Sequence, residues 1–91
     1  MTIEQALEEL KNAANELTVI GDANQALINN PEYFNNLWEK VKYYYDYITN
    51  NTENDPNAED GFDERWLAAC DIVGDIETNN PTLADWVMKI W

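Results

Sequence analysis

The chain has 91 residues, with 18 acidic and 5 basic side chains, no histidine and one cysteine, which gives a formal net charge of −13. This length suits one domain over residues 1–91. The charge argues against binding to nucleic acid or to an anionic membrane, because no basic surface is available to hold phosphates. Without histidine, no Ser/His/Asp or Cys/His catalytic set and no Cys/His zinc pattern can be written.

Other catalytic and ligand-binding motifs are also missing from the sequence. The three glycines are isolated and form no phosphate loop. The acidic residues around Gly61 do not fit a calcium loop, since placing Gly61 at position six puts Pro56, which has no ligating side chain, at position one. We therefore expect neither an enzyme nor a bound cofactor or metal. The single Cys70 and the lack of a signal-like segment favour a cytoplasmic protein.

Apolar residues recur at steps of three and four, which predicts helices along most of the chain and no strands. Thr2 and Gln5 form a capping-box pattern before the first helix. Gly21 is expected to end that helix, and Asp22 to cap a short second one.

The third helix has the clearest pattern. Asn30 followed by Pro31 is typical of a helix start, and the helix is predicted over residues 31–49. Its apolar stripe is expected to form the main wall of the core. The stripe consists of Phe34, Leu37, Trp38, Val41, Tyr45 and Ile48.

Residues 50–61 have the composition of a loop, and a fourth helix is expected after Asp60 or Asp63 as cap. Gly74 within this helix indicates a close helix crossing. Asn80 is expected to cap a last helix over residues 82–91, as Asn30 caps the third. The fold class is then all-α, a compact antiparallel bundle of four to five helices. The inner face of the fourth helix is predicted to be Phe62, Trp66, Ala69, Cys70, Val73 and Ile76.

The acidic excess is the main functional signal. Three lysines have an acidic residue three or four positions away and are expected to pair with it, which leaves the other carboxylates without counter-charge. The charge is larger than solubility alone requires, although solubility or salt tolerance is the simpler interpretation. The expected pairs are Glu8–Lys11, Glu39–Lys42 and Asp85–Lys89.

A candidate partner-binding surface follows from the distribution of these charges. Residues 53–64 contain six acids and no base, and further acids continue along the fourth helix at helical spacing. Two tyrosines spaced four residues apart are expected to be exposed anchors, or else to cover a neighbouring helix. The candidate residues are Glu53, Asp55, Glu59, Asp60, Asp63, Glu64, Asp71, Asp75, Tyr43 and Tyr47.

In being small, helical, very acidic and tyrosine-bearing, the chain resembles the DNA-mimic inhibitors that phages and plasmids direct against restriction enzymes, CRISPR complexes and other DNA-binding proteins. This resemblance implies an anti-restriction or anti-CRISPR type of inhibitor that occupies the DNA-binding surface of a basic partner. More loosely, the chain resembles small acidic immunity proteins that neutralise nuclease toxins. Their Tyr-Tyr-Pro motif is replaced here by Tyr44-Tyr45-Asp46.

Two further hypotheses therefore stay open. One is an immunity or antitoxin-like protein that neutralises a basic nuclease or toxin without imitating DNA. The other is a structural or adaptor module recognised through its aromatic face. The apolar face of the last helix also leaves a homodimer open.

Overall fold

The computed structural model describes residues 1–55, 57 and 61–90, and these residues form five α-helices and one short 3-10 helix. The all-α bundle predicted from the sequence is confirmed. The elements are α1 (Ile3–Thr18), α2 (Ala23–Asn29), α3 (Pro31–Asn51), α4 (Glu64–Asn79), the 3-10 helix (Pro81–Leu83) and α5 (Ala84–Met88).

The helix starts follow from local side-chain capping. Thr2 Oγ1 accepts from the Gln5 N–H at 3.1 Å, while Gln5 Oε1 accepts from the Thr2 N–H at 2.8 Å, so the expected capping box is present. Asp22 Oδ1 accepts from two N–H groups at the start of α2. Asn30 Oδ1 accepts from the Tyr33 N–H, which confirms the Asn-Pro start of α3. Each cap satisfies donors that a helix start would otherwise leave unpaired.

The core lies between α1, α3 and α4. The complete apolar stripe predicted for α3 is buried there. One end of this core is aromatic, since Trp38 and Trp86 stack with ring centroids 5.7 Å apart. Phe34 meets Trp86 edge-on at 4.9 Å. Trp86 of α5 therefore packs within its own chain, where it contributes area and ring geometry to the core.

The long helices alternate in direction along the chain. Near the end of α3, the Tyr47 hydroxyl donates to the Met1 carbonyl, which lies before α1. Also late in α3, Tyr45 lies 3.7 Å from Cys70 in the first half of α4, measured from the hydroxyl to Sγ. Since α3 is antiparallel to both α1 and α4, those two helices run side by side in the same direction. Arg65 and Glu4, at their two starts, confirm this with a distance of 3.4 Å between Nη1 and Oε1.

A polar cluster ties the ends of α1 and α4 together. Asn80 is buried, and its Nδ2 donates to the Gly21 carbonyl at 2.8 Å and lies 3.4 Å from the Leu17 carbonyl oxygen. Asn80 Oδ1 lies 2.6 Å from the Thr82 hydroxyl, which itself accepts from the Ala23 N–H at 3.1 Å. We call these five residues the Asn80 cluster.

The Asn80 cluster overturns one expectation from the sequence. Asn80 makes no side-chain capping bond to the helix that follows, so the analogy with Asn30 is wrong at this position. The side chain is directed at carbonyls about sixty residues earlier in the chain instead. A buried amide is stable only when its donors and acceptor find partners. The Leu17 and Gly21 carbonyls accept from Nδ2, and the Thr82 hydroxyl donates to Oδ1.

Three other expectations for the C-terminal part need correction. The last helix is interrupted, with the 3-10 helix before a short α5, and Trp91 lies outside the described residues. Gly74 marks no close crossing, because a Cβ built there would meet no atom within 4 Å. Phe62 precedes α4 and is exposed, because the helix starts only after Asp63. Cys70 is half-buried at the edge of the core.

Candidate partner-binding surface

The outer face of α4 carries the predicted acidic stripe. Glu64, Asp71 and Asp75 are all exposed on a continuous 16-residue helix. At a rise of about 1.5 Å per residue, they are separated by about 10 and 6 Å along the helix axis. Leu67 lies among them on the same face and keeps 43% of its surface exposed. The acidic stripe therefore includes an exposed apolar side chain. The sequence pattern predicts Leu67 neither for the core nor for the partner-binding surface.

The loop before α4 contributes acids at its start. Glu53 and Asp55 are exposed, and the Glu53 carbonyl accepts from the Asp63 N–H at 2.7 Å. This bond places the beginning of the loop against the beginning of α4. Glu59 and Asp60, which the sequence also assigned to the site, lie outside the described residues.

Arg65 neutralises part of the predicted acidic cluster. Its Nη2 lies 2.8 Å from Asp63 Oδ2, and its Nη1 reaches Glu4 of α1. The bonds from Arg65 lower the pKa of the Asp63 carboxyl, and Asp63 in turn raises the pKa of the guanidinium. Asp63 is the N-cap of α4, because its Oδ1 accepts from the Arg65 N–H. Of the predicted site residues, Asp63 therefore has a structural role, and its charge is compensated.

The predicted local ion pairs of the lysines are wrong. Among the described residues, every carboxylate–base contact within 4 Å involves Arg65, and none involves a lysine. Lys89 instead lies over the Trp86 ring, with Nζ 4.7 Å from the ring centroid. Lys11 and Asp75 line the same small cleft between α1 and α4 without forming an ion pair, so Asp75, although exposed, lies at the edge of the acidic stripe that faces α1. An exposed ion pair at helical spacing contributes little free energy, so the lysine side chains adopt other conformations instead.

The two candidate tyrosines have different environments. Tyr43 is 60% exposed, as expected, and its ring meets Tyr44 edge-on at 5.2 Å. Tyr47 is half-buried, because its ring packs against the core while its hydroxyl donates to Met1. The alternative that a tyrosine covers a neighbouring element thus holds for Tyr47, whereas Tyr43 is available to a partner.

A groove between α1 and α3 was not predicted. It has a volume of about 520 Å³ and contains three tyrosines, two of which are substantially exposed. The helical spacing of 33, 40 and 44 could have indicated one face of α3, but the contribution from α1 depends on tertiary packing. Its lining residues are Glu16, Tyr33, Asn36, Leu37, Glu39, Lys40, Tyr43 and Tyr44.

A buried tyrosine of α3 contacts α4. The Tyr45 hydroxyl lies next to Cys70 Sγ, and burial, followed by the contact with Cys70, raises the pKa of Tyr45 to about 12. This contact joins the second half of α3 to the first half of α4.

Comparison of the chain with protein-family models, with curated proteins and with solved structures finds no match. Within residues 1–55, 57 and 61–90, no group of three or more carboxylate and thiol side chains is placed to hold a metal ion. No helix in the same part of the chain combines the length and apolar character needed to cross a membrane.

Proposed function

We propose that this chain is an acidic inhibitor that occupies the DNA-binding surface of a basic protein in place of DNA. The observation that carries this proposal is the linear density of charge. The described residues hold 16 acidic and 5 basic side chains, a net charge of −11, on a body 47 Å long. This is about one net charge per 4 Å, which is close to the ~3.4 Å per phosphate of one DNA strand and about 40% of the axial charge density of the duplex, one charge per ~1.7 Å.

The outer face of α4 supplies the second argument. Its three exposed carboxylates are held on one rigid helix at separations of about 10 and 6 Å, which correspond to about three and two phosphate steps along one DNA strand. Leu67 among them adds apolar contact area. Interfaces of this kind gain affinity from a desolvated apolar anchor, while the charges set orientation and specificity.

The uncompensated charge also predicts the kinetics of binding. Only Arg65 neutralises carboxylates by direct contact in the described part of the chain. The negative field therefore extends into solvent, where it accelerates encounter with a basic partner and is screened by salt over about 10 Å at 0.1 M.

The test uses the immobilised full chain to retain proteins from the source cell at low salt. We expect that a double-stranded DNA oligonucleotide of random sequence elutes the retained partner. A triple variant, Glu64→Lys/Asp71→Lys/Asp75→Lys, is expected to bind it at least about tenfold more weakly, since opposite charges now face the basic surface.

The matched control is Glu8→Lys/Asp46→Lys/Glu77→Lys, which makes the same change in net charge at exposed positions away from the stripe. Equal weakening by both triple variants would mean that net charge alone acts, and would refute a role for the α4 face. Salt-sensitive binding that DNA does not displace would favour the toxin-neutralising alternative. Binding that survives 1 M salt would favour an adaptor module with an apolar contact.

A further inference from the structure

The groove between α1 and α3 presents aromatic rings to solvent. Tyr33 is 47% exposed and Tyr43 60%, although both lie on the helix that forms the main wall of the core. Tyr44 packs edge-on against Tyr43, so the Tyr43 ring is supported on one side by a partly buried neighbour. Exposed tyrosines held in this way offer rigid contact area at little cost in conformational entropy.

Carboxylates come into the groove from both helices. Glu16 enters from α1, and Glu39 lies on α3. Lys40 also lines the groove, but no carboxylate oxygen of the described residues is within 4 Å of its Nζ. The groove therefore combines exposed rings with two carboxylates that have no bound counter-charge, and its ionisable side chains sum to −1.

We propose that this groove, which we call the tyrosine groove, receives an arginine side chain of a partner protein. A guanidinium stacks on aromatic faces, is more weakly hydrated than an ammonium, and pairs with carboxylates through a planar fork of donors. The tyrosine groove offers both of these complements within one concave site. A lysine would keep the charge attraction but lose the planar stacking and the fork.

Other occupants fit the chemistry less well. An anion would approach two carboxylates on a strongly acidic protein, with Lys40 as its only cationic contact. A purely apolar segment would desolvate Glu16 and Glu39 without replacing their hydrogen bonds with water, which is unfavourable. The assignment of the arginine to a partner rests on the proposed function, in which that partner is basic. No residue of α4 lines the groove, so it is separate from the acidic stripe.

The tyrosine groove can be tested on the purified chain without any partner. Titration with N-acetyl-arginine amide, followed by NMR, is expected to shift the ring signals of Tyr33 and Tyr43 in a saturable way. Nα-acetyl-lysine amide, whose side-chain ammonium is free, carries the same charge. We expect it to bind about two- to fivefold more weakly, because only stacking and fork geometry distinguish the two probes.

Substitutions give effects of opposite sign at neighbouring positions. Glu16→Gln and Tyr43→Ala are expected to weaken arginine-amide binding about threefold, whereas Lys40→Gln should strengthen it by removing the one cation. Asp46→Asn is the matched control, because it makes the same change in net charge as Glu16→Gln on an exposed part of α3 outside the groove.

Three outcomes would overturn the tyrosine groove as an arginine site. They are equal affinity for the two probes, shifts spread over the whole acidic surface, or weaker binding by Lys40→Gln. Failure here with successful DNA competition would leave the proposed function standing and place its contacts on α4. Specific arginine binding without DNA competition would support the tyrosine groove as an arginine site and refute the proposal that the chain imitates DNA.

Discussion

The Asn80 cluster gives the sharpest test of the fold. Asn80→Ala removes an amide that donates to the Gly21 carbonyl and approaches the Leu17 carbonyl at the end of α1. The backbone of Asn80 has a negative φ, with φ −142° and ψ 87°, so the site does not require the left-handed conformation that disfavours alanine. The substitution therefore acts through the lost hydrogen bonds and the small space left by the amide, and it perturbs no helix interior.

The expected loss follows from the surroundings of the amide. A typical intramolecular hydrogen bond contributes about 0.5–1.5 kcal/mol to stability. Both carbonyls keep another donor in the variant, since Thr82 Oγ1 lies 3.1 Å from the Gly21 oxygen and the Ile20 N–H donates to the Leu17 oxygen at 3.4 Å. The loss is therefore that of two hydrogen bonds, without an unpaired buried carbonyl. We expect the free energy of unfolding to fall by about 1–3 kcal/mol, which lowers Tm by about 5–20 °C in a domain of this size.

Urea and thermal unfolding followed by circular dichroism measure this change. Asn79→Ala is the matched control, because the neighbouring asparagine is exposed and donates only to the Asp75 carbonyl of its own helix. Its effect should stay within about 0.5 kcal/mol. If the two variants lost the same stability, the tertiary role of the Asn80 side chain would be refuted.

Two further predictions concern α4. Gly74→Ala should raise the free energy of unfolding by about 0.5–1 kcal/mol, because the added Cβ meets no atom within 4 Å. Gly21→Ala in the turn after α1 should lower the free energy of unfolding, because alanine is strained at φ +76°. Chemical unfolding of the two variants measures both changes. Asp63→Asn should be less stable than the wild type near pH 6. This difference in stability should disappear as pH falls through the lowered pKa of Asp63, because the protonated carboxyl of the wild type is then as uncharged as the amide of the variant. A difference that grew in acid would contradict the Asp63–Arg65 pairing.

Local sequence signals predicted most of the helices. The caps at Thr2, Asp22 and Asn30 act over two or three residues, so the residue types and spacing were sufficient. The stripe of α3 was also readable, because helical periodicity by itself decides which side chains share a face. The predicted end at residue 49 falls two residues short, since Thr52 Oγ1 bonds to the Ile48 carbonyl and the helix continues through Asn51.

The errors concern interactions between distant segments. Asn80 has the same local sequence as Asn30, but the carbonyls at the end of α1 compete successfully for its amide. The glycine at position 74 predicts a close packing contact, but a Cβ built there meets no atom within 4 Å. Such choices depend on which elements meet, and residue order does not specify that directly.

The candidate site shows the same division. Helical spacing correctly placed Glu64, Asp71 and Asp75 on an exposed face of one helix. The contact of Arg65 with Glu4 and the tyrosine groove could not be anticipated, because each depends on α1 lying beside another helix. Spacing along one helix defines a face, whereas a concave site needs the relative placement of two.

The hydrogen bond from the Ala23 N–H to the Thr82 hydroxyl has a consequence for the order in which the chain folds during synthesis. The Ala23 amide opens α2, yet its acceptor is supplied 59 residues later. During synthesis, the first three helices can pair before this acceptor has emerged, and the connection between α1 and α2 stays incomplete until then. In the finished protein, hydrogen exchange at the single Ala23 amide should report every transient detachment of the C-terminal segment, far from that segment in sequence.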